Sequence, residues 1–70
     1  MNTTIARDHD VLVTLAVPGV HRVELDGATV GYVVEAGPVF VSLRGAVYNT
    51  SCEVGQALDL DTAVAAVLAS

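Results

Sequence analysis

Lysine and tryptophan are missing from this 70-residue chain, cysteine and phenylalanine occur once each, and three arginines are the only strong bases. Each shortage excludes something. Eight acidic residues against three arginines leave a net charge of −5, the opposite of the basic footprint on which nucleic-acid binders depend. The lone Cys52 cannot close an internal disulfide. A zinc site would have to draw on Cys52, His9 and His21, with no second cysteine and no close ligand spacing, so neither metal nor cofactor is expected. No apolar run reaches the roughly 20 residues of a membrane span. The longest, Val11 to Val20, is interrupted by Thr14 and by Pro18-Gly19. The residues before it, ARDHD, carry acid where a secretory leader carries positive charge. A cytoplasmic protein with a free thiol and no membrane partner is the expectation.

Apolar residues, by contrast, are plentiful, at 53% of the chain, and the mean hydropathy is +0.60. In chains below about 70–80 residues one core rarely supplies more than about 3–5 kcal/mol. With disulfide and metal set aside, self-association is the remaining way to stabilise so small a domain.

Residues 1–10 are polar and unpatterned and read as a flexible lead-in to a single domain over 11–70. From Val11 to Val54 the chain is rich in β-branched residues, punctuated by Pro18-Gly19, Asp26-Gly27, Ala36-Gly37-Pro38 and Arg44-Gly45. That pattern predicts a meander of strands near 11–17, 20–25, 28–34, 39–44 and 46–54. After Gly55 the period changes. Leu60, Ala63, Val64, Val67 and Leu68 form the stripe of an amphipathic helix over about 60–69, with Asp59 as its N-cap. The fold class is therefore α+β: a four- or five-stranded antiparallel meander with one C-terminal helix packed on one face.

Turn chemistry sets the expected register. An Asp26-Gly27 type I′ turn pairs Leu25 with Ala28, Val23 with Val30 and His21 with Tyr32. An even-length loop at Ala36-Gly37 pairs Val34 with Val39, and a two-residue Gly45-Ala46 loop pairs Leu43 with Tyr48. Together these put Val23, Leu25, Val30, Tyr32, Val34, Val39, Val41, Leu43, Tyr48, Cys52 and Val54 under the helix. Arg22, Glu24, Thr29, Gly31, Ser42, Arg44, Asn49, Ser51 and Glu53 fall on the other face, where Val20, Val33 and Phe40 make an apolar row. The first strand is left open. A two-residue Pro18-Gly19 loop turns Val11, Val13, Leu15 and Val17 outward, a three-residue loop turns them inward, and the strand could also fold over the row.

Catalytic constellations do not assemble. Asp8-His9-Asp10 reads as a solvated tail, and His21 as a semi-buried histidine bonded to the Tyr32 phenol. Cys52 reads as a small buried residue on a strand separated from that of His21 by two others, roughly 14 Å away at about 4.8 Å per strand, too far for a Cys–His nucleophile. Glu24 and Arg44 read as a loose surface pair across Thr29. No GxGxxG or GxxxxGK[ST] phosphate loop occurs.

The segment GYVVEAGPVFVSLRG followed by LDLDTAVAAVLA resembles the arm-type DNA-binding domains of tyrosine recombinases and the plant ethylene-response DNA-binding domains. The resemblance covers about two-thirds of the chain and implies three strands and a helix. It also implies an exposed sheet face laid into the major groove, here bearing Arg22, Arg44, Phe40, Val33, Glu24 and Glu53. Two arginines offset by two glutamates make poor phosphate contacts. The leading expectation is a non-enzymatic protein-interaction module that self-associates through the outer sheet face, at Val20, Val33, Phe40, Arg22 and Arg44. DNA binding through Arg22 and Arg44 is one alternative. An acidic inhibitor or decoy in a basic groove of another protein, as bacterial or phage accessory proteins can be, is the other.

Overall fold

Five strands follow one another in sequence and in space: β1 (Val11–Val17), β2 (Val20–Leu25), β3 (Ala28–Ala36), β4 (Val39–Arg44) and β5 (Cys52–Ala57). They form one antiparallel sheet in the order β1-β2-β3-β4-β5, and α1 (Leu60–Ala69) packs on β3, β4 and β5. The computed structural model describes residues 10–70. Most of the lead-in, including Asp8 and His9, lies outside the described residues. Asp10 is tied to the sheet, its amide donating to Asp26 Oδ1 at 2.8 Å and its carbonyl accepting from Asp26 N–H at 2.7 Å.

The helix forms where its stripe predicts. Ala63 and Val67 are fully buried, and Leu60, Val64 and Leu68 pack against them. Asp59 caps the first turn, accepting from Thr62 N–H at 2.8 Å and from the Thr62 hydroxyl at 2.9 Å. The backbone bond first, then the hydroxyl, hold the Asp59 carboxyl below its ordinary pKa of 3.8. A folded-state pKa lowered in this way gives stability that is complete above the unfolded value and is lost as pH falls through the folded one. Asp59→Asn keeps an acceptor but does not titrate. Between about pH 5 and pH 2 the urea midpoint of the wild type is therefore expected to fall further than that of Asp59→Asn. Parallel falls would show that the cap carboxylate is not the group responsible.

The Asp26-Gly27 turn also forms as expected, with both residues at positive φ (52° and 85°) and Leu25 paired with Ala28. Two residues later the expected register breaks. Glu24 pairs with Thr29 but Val23 pairs with Gly31, so Val30 is an extra residue in β3. A bulge of this kind moves every later side chain of the strand to the opposite face. Val23 keeps its inward position. Beyond the bulge, Gly31 and Val33 point inward in place of Tyr32 and Val34, and β4 follows, because Val33 pairs with Ser42 and Glu35 with Phe40.

The core is accordingly Val23, Val33, Ala63 and Val67, with Val30, Phe40, Ala57, Leu60, Val64 and Leu68 around it. Gly31 lets the helix approach: a Cβ there would lie 2.5 Å from Val67 Cγ1 and nearer still to the Leu43 carbonyl oxygen. Two polar residues fasten the helix to the sheet. The buried Ser42 hydroxyl donates to Ala63 O at 2.8 Å. Arg44 Nη1 donates to Val67 O at 2.9 Å and Ser70 O at 2.7 Å, placing a cation at the negative end of the helix dipole.

The last strand begins later than its predicted 46–54. A single 3-10 turn, Tyr48–Thr50, intervenes, and β5 pairs Phe40 with Ala57 and Ser42 with Gly55. This connection folds over the sheet face opposite the helix. Tyr32, pointing to that face, is covered there by Tyr48, with ring centroids 5.5 Å apart and planes at 82°. Its phenol donates to Ala46 O at 3.1 Å.

Candidate interaction surface

The five residues expected to form an interface do not share a surface. Val33 is 0% exposed beneath α1, and Phe40 packs against the same cluster. Arg44 reaches the end of the helix on that side. Val20 and Arg22 lie on the open face, since Val20 pairs with Val34 and Arg22 with Tyr32. The bulge at Val30 is the physical cause, because it leaves β2 in the expected orientation and inverts β3 and β4. The open face instead carries Tyr32, Val34, Val41 and Leu43, none of them fully exposed. The two arginines that a groove-binding face would need together are therefore on opposite sides of the sheet. Arg22 lies 3.9 Å from Glu24, and Arg44 is engaged by helix carbonyls, not by Glu24 across Thr29.

Exposed apolar surface gathers on β1. Val11, Leu12, Val13, Leu15 and Val17 are all exposed, Leu15 to 60%. Val17 pairs with Val20 across a two-residue Pro18-Gly19 loop, one of the two loop lengths open from sequence. A bulge at Ala16 then separates Val17 from the rest of the strand. Val11, Val13 and Leu15, opposite Leu25, Val23 and His21, face the helix side; Leu12 and Thr14, opposite Glu24 and Arg22, face the open side. Because α1 sits over β3–β5, the helix-side face of β1 stays uncovered. The strand thus displays apolar side chains on both faces and lies at the edge of the sheet.

Comparison with protein families, curated proteins and solved structures finds no match to this chain. The surface must therefore be read from its own chemistry. His21 is half-buried as expected, but its Nε2 bonds Glu35 Oε2 at 2.7 Å, and the Tyr32 phenol is used elsewhere. Cys52 is exposed on the far edge strand and not buried. Among the described residues no group of three or more His, Cys, Asp or Glu converges, and no pocket opens. No helix among them is long and apolar enough to cross a membrane.

The signal for the edge strand was in the sequence. VLVTLAV has no charge and is apolar at both odd and even positions, whereas a strand with one solvated face alternates. The inversion of the central strands also left a mark, since an isolated glycine inside a strand pattern signals a bulge or a close backbone approach. Gly31 stands at both.

Proposed function

We propose that the chain is a small non-enzymatic protein-interaction module that works through the edge strand β1. The observation that carries this reading is the strand itself: five exposed apolar side chains on two faces of an uncharged sheet edge. Scattered apolar residues are ordinary on a protein surface, but a contiguous group at an open edge invites pairing with another chain. The apolar content, high for so small a domain, supports the same reading. The exposed thiol of Cys52 suits a reducing compartment, and the cytoplasm is the proposed site of action.

The test places a photo-cross-linking amino acid at position 15 in the native host, with position 56 on the opposite edge as control. Protein adducts from position 15 and none from position 56 are expected. If position 15 yields no protein adduct, β1 is not a contact surface.

A further inference from the structure

The partner of β1 can be named from the direction of its backbone groups, given the reading of β1 as the contact surface. Asp26 N–H donates to Asp10 O, and the register runs from Val11↔Leu25 to Leu15↔His21. In an antiparallel ladder, directly bonded pairs alternate with unbonded ones. Asp10, Leu12 and Thr14 therefore turn their backbone groups toward β2, while Val11, Val13 and Leu15 turn theirs outward. The next ladder agrees: Glu35 N–H donates to Gly19 O at 2.8 Å, so odd-numbered residues of β2 serve β3 and even-numbered ones serve β1.

No described residue pairs with these outward groups. Proteins blunt such edges with charge, proline or bulges. The opposite edge, β5, has two of these: Glu53 lies in the strand, and a bulge falls at Val54. In β1 the bulge comes at Ala16, beyond the three outward-facing residues, and the strand holds no charge.

We propose that this edge is completed by β1 of a second copy, antiparallel, about a two-fold axis through Val13. Val13 then faces Val13 of the second copy, and Val11 faces Leu15. All three outward N–H groups of each chain find a carbonyl, giving six ladder hydrogen bonds. On the helix side the central row reads Val23, Val13, Val13, Val23, a continuous apolar floor. On the open side each row reads Arg22, Thr14, then Leu12 and Glu24 of the second copy. Opposite charges thus share a row at about 14 Å between Cα atoms, a gap that the long side chains reduce by leaning over Thr14 and Leu12. Moving the axis to Thr14 would pair Val13 with Leu15 but set Val11 against Val17, whose backbone serves β2 beyond the bulge. It would also place Arg22 in a row with its own copy. With a net charge of −5 on each chain, contact is favoured where the surface is uncharged and the flanking charges are complementary.

Light scattering of the wild-type protein over a hundredfold concentration range is expected to show the mass double from 7.2 kDa. Amide exchange at Val11, Val13 and Leu15 should slow as the dimer forms. In a Cys52→Ser background, Leu12→Cys with Thr14→Cys should oxidise to a covalent dimer. These positions become an unbonded pair, with Cα atoms about 4.5 Å apart, within disulfide reach. Thr14→Cys alone should not link. Leu15→Lys should return the mass to that of the monomer with its circular dichroism unchanged.

A monomer at every concentration overturns the second copy. If position 15 still cross-links to another protein, the interaction module stands without it; if it cross-links to none, both fall. A monomer whose three outward amides are always protected assigns the edge to residues 1–9 and also overturns the proposal. A dimer that links through Thr14→Cys alone overturns the register, and one whose outward amides exchange freely overturns edge pairing.

Discussion

Val33→Asp is expected to abolish the cooperative fold, whereas Leu58→Asp is expected to leave it almost unchanged. Val33 is 0% exposed between β2, β4 and the helix, among Val23, Ala63 and Val67. A carboxylate there has an apolar cluster around it. An uncompensated buried charge costs roughly 3–5 kcal/mol, and losing the buried valine adds about 1.5–3 kcal/mol. A core of this size supplies about 3–5 kcal/mol, so the mutant has no stability left. Leu58, 79% exposed just before the helix, lies outside the core, and surface changes of that kind usually stay within about 0.5 kcal/mol. Far-UV circular dichroism and urea titration of the two variants decide the point. A folded Val33→Asp with the wild-type midpoint would mean that the helix lies on the other face of the sheet.

Gly31→Ala is expected to cost more than a methyl group ordinarily does. The added carbon would lie within 2.5 Å of Val67 Cγ1 and closer to the Leu43 carbonyl oxygen. The valine can rotate or be trimmed, but a carbonyl oxygen held in the β3–β4 ladder moves only with its strand. Overpacking of cores typically costs about 1–3 kcal/mol, and the upper part of that range is expected here. The double variant Gly31→Ala/Val67→Ala should recover part of the loss in urea unfolding. Recovery stays incomplete because the clash with Leu43 O remains and Val67 itself no longer fills the core. Full additivity of the two single losses would show that residues 31 and 67 do not touch.

Most elements are legible in the sequence, but the extra residue at Val30 hides which face of the central strands is buried. The positions of the first four strands, the Asp26-Gly27 turn, the Asp59 cap and the stripe from Leu60 to Leu68 all follow from local chemistry, and the structure has them; the fifth strand lies at Cys52–Ala57 and not at 46–54. The face of the central strands depends on counting residues from that turn, and Val30 adds one to the count. Ser42 and Arg44 then read as solvent-facing when they bond the helix backbone. Phe40 and Val33 read as a surface row when they are core. Cys52 moved because seven residues, not two, connect β4 to β5. The uncharged edge strand could be seen from sequence, but its geometry depended on a bulge at Ala16 that no side-chain pattern marks.

The order of the elements also bears on how the chain is made. Each strand pairs with the one synthesised just before it, so the sheet can grow by short hairpins whose closure entropy is small. The inward side of that growing sheet has no cover until α1 arrives. Val23, Val33 and Phe40 therefore stay open to water on any sheet that forms ahead of the helix, and residues 60–69 bury them together when α1 docks.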